Sequence, residues 1–223
     1  MYLYHIIYDM CMTKKQVVIF SPFRVGASTI EKTLNEISNV RAKKIYTYTD
    51  KEAESIPPQT IDTIVLIYRD PIDRYISAFF ADCTKKEYPY YFGSCEKVLA
   101  TPINELIKHF NKFRWTEFGW LSYDYYIHVL DATFSINIVD IQLFINSQSK
   151  QQILLGQYEQ KPIKCLLLKT QYLDQSVGII NQVFNSNIKS MPKCHSHQNQ
   201  WYSKKYIEFI KQFYQELASE FPL

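Results

Sequence analysis

The stretch Ile61-Asp62-Thr63-Ile64-Val65-Leu66-Ile67-Tyr68 constrains this chain more than any other. A short, nearly continuous apolar run rich in β-branched residues reads as a strand buried on both faces, and such strands belong to parallel sheets covered by helices. The run leads directly into Arg69-Asp70-Pro71-Ile72-Asp73-Arg74-Tyr75-Ile76-Ser77. A residue before proline is pushed out of helical conformation, aspartate is a favoured N-cap, and proline suits the first helical position. Asp70 is therefore expected to cap, and Pro71 to start, a helix. Gln16 to Phe20 carries the same signal in Val17-Val18-Ile19, and Ile30, Leu34 and Ile37 then recur at helical spacing. Strand, turn and helix thus occur in that order twice, which predicts an α/β fold of three layers, with a central, mostly parallel sheet flanked by helices.

The turn between the first strand and helix is Ser21-Pro22-Phe23-Arg24-Val25-Gly26-Ala27-Ser28-Thr29. The first amides of a helix lack internal partners, and the helix dipole favours negative charge beside them. Gly26 would let a phosphate or sulfate approach the backbone, Ser28 and Thr29 would add hydroxyl donors, and Arg24 a permanent charge. An ordinary βα turn that tolerates a glycine accounts for the same residues. Arg69 falls at the carboxyl end of a central strand, where ligands bind in open α/β sheets. Arg74 and Ser77, three apart, share a helix face near it. The alternative for the arginines is a surface ion pair with Asp70 or Asp73.

At 223 residues, 47% hydrophobic and 16% aromatic, the chain can bury a sizeable core, and one domain over 1–223 is expected, with a helical aromatic-rich insertion at about 84–134. A net charge of +3 is too small to imply nucleic-acid binding. No apolar run approaches the roughly 18 residues of a membrane span, and His5 and Asp9 interrupt residues 1–12 with no basic region before them. Neither a transmembrane segment nor a signal peptide is expected, and the default location is cytoplasmic. Cys11, Cys83, Cys95, Cys165 and Cys194 form no CxxC pair, so free thiols in a reducing compartment are expected, with Cys83 and Cys95 the pair that could bridge in an exported protein. Cys194-His195-Ser196-His197 offers at most three ligands without a second half, so no metal is expected.

Ala42 to Thr49 reads as a second strand and Asp50 to Gln59, with Pro57-Pro58, as a loop. Ile103, Leu106, Ile107 and Phe110 mark a helix over Ile103 to Phe113, and Trp120 to Leu130 another. The aromatic residues crowded here, Tyr90, Trp115, Trp120 and Tyr125 among them, would serve as core and loop packing, with two or three free to stack on a sugar. Ser135 to Phe144 reads as a strand or edge segment. Tyr206, Phe209, Ile210, Phe213 and Leu217 share one stripe of a final helix.

Two of these stretches, Phe23 to Thr29 after one strand and Tyr68 to Phe79 after another, resemble the two cofactor motifs of the sulfotransferase superfamily, nearer to the Golgi-type carbohydrate enzymes. The second match is the more specific: an arginine, an Asp-Pro helix start and a serine eight positions on. In the first, Arg24 stands where most members have lysine. Lys164 to Asp174 is similar to the late strand and following helix of that family, with Gln171 where glutamate is usual, and Lys193 to Phe221 to its cofactor-covering loop and terminal helix. The resemblance implies a P-loop-like domain that uses 3′-phosphoadenosine 5′-phosphosulfate (PAPS) as donor and a glycan or other hydroxyl-bearing acceptor. It assigns Arg24, Val25, Gly26, Ala27, Ser28 and Thr29 to the 5′-phosphosulfate, Arg69 and Ser77 to the 3′-phosphate, and Lys193, with His195 and His197, to the covering loop.

Sulfuryl transfer also needs charge compensation on the bridging oxygen and a base for the acceptor hydroxyl. Arg24 suits the first task. Family members place a histidine or glutamate base after the first motif, yet no histidine lies between the two motifs here. Glu52 is the first candidate and His128 the second, with His109 also in the aromatic region. A P-loop nucleotide kinase is disfavoured, since the Gly-Lys-Ser/Thr ending is missing. A sulfotransferase-like domain that binds nucleotide or glycan without turnover stays open.

Overall fold

A computed structural model describes residues 14–22, 25–45, 55–82, 92–117 and 123–192, with 209, 211–213, 215 and 216 near the end of the chain. The chain forms two compact units, Met1–Arg69 with Tyr123–Cys194, and Asp70–Ser122 with His195–Leu223.

The first unit holds a five-stranded sheet. Its strands are β1 (Lys15–Phe20), β2 (Val40–Ile45), β3 (Ile61–Tyr68), β4 (Gln151–Tyr158) and β5 (Lys161–Lys169). Their spatial order is β2-β1-β3-β5-β4, parallel except for β4, which pairs antiparallel with β5. Helices flank this mostly parallel sheet in the three-layer α/β arrangement that the two strand-to-helix transitions predict. The central position of β3 follows from its composition: Ile61, Ile64, Val65, Leu66 and Ile67 are all at most 2% exposed, so both faces must be covered.

Among the described residues this unit has the α-helices α1 (Ala27–Asn35), α5 (Tyr123–Phe134), α6 (Ile138–Asn146) and α7 (Val177–Phe184). On α1 the residues Ile30 and Leu34 are buried, as their spacing requires, and the helix packs on β2. Phe20 meets Tyr126 and Phe134 of α5 edge-on, at 6.2 and 6.3 Å between ring centroids.

The segment Ser135–Phe144, read from sequence as a strand or edge, is instead the lead-in to α6 and most of that helix. Its apolar residues run nearly all round, a pattern that short buried strands and short helices share. The local chemistry decides for helix: Asn137 caps it by accepting from the Val139 amide at 2.8 Å, while Ile141 and Phe144, three apart, turn inward. At the other end Lys169 donates to the Ile145 carbonyl at 3.1 Å and to that of Ser147, and its ammonium lies over the Phe144 ring. Burial lowers the pKa of this lysine from its ordinary value. Cys165, buried in β5, has its thiol pushed up by the same cause, which makes it inert.

The second unit contains α2 (Pro71–Asp82), α3 (Cys95–Ala100) and α4 (Ile103–Glu117). Its core is Ile76, Phe79, Phe80, Val98, Leu106, Ile107, Phe110 and Phe213. Phe213, on the expected stripe of the last helix, stacks edge-on with Phe80 and Phe110 at 5.4 and 5.6 Å. No helix among the described residues is long and apolar enough to cross a membrane.

Candidate anion-binding site

The turn after β1 leads into α1, the strand-turn-helix order that the sequence predicts. Gly26 adopts φ +88°, in the left-handed region that glycine alone enters without strain. A Cβ there would also stand 2.6 Å from the Leu173 side chain. The carbonyl of Gly26 accepts from the Thr29 and Ile30 amides at 3.0 and 3.3 Å, which closes the first turn of α1. Among the described residues no acceptor meets the amides of Ala27 and Ser28. These two donors, with the positive end of the helix dipole behind them, are what an anion would find.

Because β1 and β3 are parallel neighbours, with Phe20 opposite Leu66, their carboxyl ends lie at one edge of the sheet. Thr170, directly after β5, ties the ends together: its hydroxyl lies 2.9 Å from the Val25 carbonyl and 3.1 Å from that of Tyr68, sharing one proton between them. Arg69 follows at the same end. Its amide donates to the Tyr123 hydroxyl at 2.8 Å, and that hydroxyl donates to the Ile67 carbonyl at 3.2 Å. The Tyr68 and Tyr123 rings pack 4.9 Å apart, so the backbone that presents Arg69 is held from two sides.

A lysine that sequence reasoning passed over completes the turn. Lys44, near the end of β2, donates to the Ser28 hydroxyl at 2.9 Å, while Glu31 of α1 holds it by an ion pair at 3.7 Å and accepts from its amide at 3.0 Å. A cation beside a helix N-terminus opposes the dipole. Glu31 offsets part of that opposition, and an anion seated on the Ala27 and Ser28 amides would offset more. Nothing in the local sequence marks Lys44, since β2 and α1 meet only in the folded sheet.

The remaining predicted residues separate as follows. Val25 and Ala27 are buried in the wall of the turn, Ser28 is exposed and Thr29 half-buried. Asp70 caps α2 as expected, accepting from the Asp73 amide at 3.1 Å through its side chain and from the Arg74 amide at 2.9 Å through its carbonyl. Ser77 is half-buried on α2 in the second unit. Arg74, on the same helix, is 1% exposed, so it lies buried rather than at the surface. His128 is exposed on α5, His109 lies against Phe92 on α4, and Gln171 is exposed just after β5. Arg24, Glu52, Lys193, His195 and His197 lie outside the described residues, as do Cys11, Cys83 and Cys194. Among the described residues no three His, Cys, Asp or Glu side chains gather as a metal site.

Comparison of the chain with protein-family models, with curated proteins and with solved structures found no match. The fold and the geometry of the turn therefore carry the functional argument together with the motif resemblance.

Proposed function

We propose that this protein is a sulfotransferase that moves the sulfuryl group of PAPS to a hydroxyl of a carbohydrate-like acceptor. The observation that supports it most is the turn at Gly26, with open Ala27 and Ser28 amides, at the same sheet edge as Arg69. In this reading the turn and Lys44 hold the 5′-phosphosulfate, and Arg69 the 3′-phosphate. The acceptor oxygen bonds to sulfur as the bond from sulfur to the bridging oxygen breaks. Arg24 offsets the charge that develops on that oxygen, and Glu52, or His128 in its place, takes the acceptor proton. The products are the sulfate ester and adenosine 3′,5′-bisphosphate.

Titration calorimetry with adenosine 3′,5′-bisphosphate, AMP, and ATP with magnesium tests this. The bisphosphate should bind most tightly. Arg69→Ala should weaken it by about 10- to 100-fold, the equivalent of one charge-assisted hydrogen bond, with little effect on AMP, whereas Lys44→Ala should weaken both nucleotides alike. Equal losses for Arg69→Ala, or magnesium-dependent ATP binding, would sink the assignment. A second reading, a related domain that binds nucleotide or glycan without turnover, draws on Glu31: the one carboxylate of α1 is committed to Lys44. Transfer of radiolabelled sulfate from PAPS onto a glycan panel separates the two.

A further inference from the structure

We propose that Tyr123 is the positioning residue for Arg69: its hydroxyl takes the place of a strand residue at the end of β3 and thereby sets the preference of the site for a 3′-phosphate. The inference rests on the assignment of Arg69 to that phosphate in the proposed function, and goes beyond it in naming what fixes the arginine.

The need for such a group follows from the register. Phe20 of β1 pairs with Leu66 of β3, and continued two steps that register sets Pro22 opposite Tyr68. The Ser21 amide turns to the other side and donates to the Ile45 carbonyl of β2 at 3.3 Å, so its neighbour Pro22 faces β3. In a parallel ladder a residue so placed donates its N–H to one carbonyl of the neighbouring strand and accepts from the amide two residues further along. Opposite Tyr68 those groups are the Ile67 carbonyl and the Arg69 amide. Pro22 has no N–H to give, and its own carbonyl accepts from the Ser21 hydroxyl at 2.9 Å. Strand β1 therefore leaves both groups to another partner.

Tyr123 supplies both bonds. A phenol is donor and acceptor at one oxygen, and this one accepts from the Arg69 amide at 2.8 Å and donates to the Ile67 carbonyl at 3.2 Å. Tyr123 is 7% exposed and its ring packs on that of Tyr68, so the hydroxyl is held in place. On the opposite side of the strand the Tyr68 carbonyl lies 3.1 Å from the Thr170 hydroxyl. Two hydroxyls, one from α5 and one from the residue after β5, thus fix the last peptide groups before the Arg69 side chain and with them the direction in which it leaves the sheet. A bidentate contact of guanidinium with phosphate depends on that direction, because a displacement of about 1 Å at the backbone is carried to the end of the side chain.

A double-mutant cycle read by titration calorimetry of the full chain tests the proposal. The quantity is the ratio of the dissociation constants for AMP and adenosine 3′,5′-bisphosphate, which a general loss of stability does not move. Tyr123→Phe, which deletes one oxygen, should lower that ratio by about five-fold, the equivalent of one neutral hydrogen bond. In an Arg69→Ala background the same change should lower it no further, since Tyr123 acts through Arg69. An unchanged ratio for Tyr123→Phe, or a full second loss in the Arg69→Ala background, overturns the proposal and leaves the nucleotide reading in place. A parent with no preference for the bisphosphate sinks that reading and the proposal with it. A second measurement needs no variant and so stands whether or not Tyr123→Phe folds. Tyr68-Arg69 is the one Tyr-Arg pair in the chain, so isotopic labelling of tyrosine carbonyl carbons and arginine amide nitrogens isolates a single NMR signal. That amide should exchange slowly with solvent in the free protein, and exchange at the rate of an open amide overturns the proposal.

Discussion

At the β2 edge of the sheet side chains occupy the Ala42 amide and carbonyl and the Lys44 amide, and at the β4 edge the outward backbone groups are open among the described residues. The Asn35 side chain donates to the Ala42 carbonyl at 3.0 Å and accepts from its amide at 2.8 Å, and Glu31 accepts from the Lys44 amide. Two side chains of α1 thus imitate a neighbouring strand. Arg41, Lys43 and Lys44 add charge to the same edge. Strand β4 has neither device. The difference teaches where the sheet is closed to further strands: the guarded edge is the one whose Lys44 reaches Ser28 in the turn after β1.

The largest effect expected on this contrast is at Gly156, on the inner face of β4. A Cβ there would lie 2.5 Å from the Phe134 carbonyl oxygen and meet Ile136 as well, and a backbone atom cannot swing aside. Gly156→Ala should cost up to about 3 kcal/mol in urea unfolding, as overpacked sites do. If it costs nothing, β4 is loosely seated, and its flat, open edge is not a rigid surface. The seating is what makes that edge a template rather than a frayed end.

The two edges also differ in how far their sequence reveals them. Strand β3 was legible because its eight residues are almost all apolar, and the start of α2 was legible because Asp70 and Pro71 act through local sterics and capping. Gly26 was legible as part of the turn, whereas its left-handed backbone shows only in the structure. Strand β4 gave no such signal, since three glutamines and a glycine dilute its apolar alternation. Helix α6 was misread because nine mostly apolar residues carry no clear period. The roles of Asn35, Lys44 and Thr170 depend on partners seven, sixteen and more than a hundred residues away, so only the folded sheet exposes them.

A smaller effect is expected from removing the guard. Asn35→Ala frees the Ala42 amide and carbonyl; Asn35 itself is exposed, so water can enter where its side chain was and replace part of what is lost, and the cost should be about 1 to 2 kcal/mol. The change also separates the two devices on that edge, because Arg41, Lys43 and Lys44 remain. Sedimentation of Asn35→Ala should show the assembly state of the parent if charge alone suffices to keep strands away. New, larger species would show that the side-chain hydrogen bonds are the guard and the charges secondary.

The smallest effect lies in the hairpin that joins β4 to β5. Glu159 and Gln160 form its two-residue turn, and Glu159 has φ +54°, a conformation that tight hairpins require and that costs a non-glycine residue of order 1 kcal/mol. Glycine avoids that cost but adds freedom to the unfolded chain, so Glu159→Gly should stabilise the protein by only about 0.5 kcal/mol, seen as a higher urea midpoint with an unchanged slope. A lower midpoint would mean that the freedom glycine adds to the unfolded chain outweighs the relief of backbone strain at this turn.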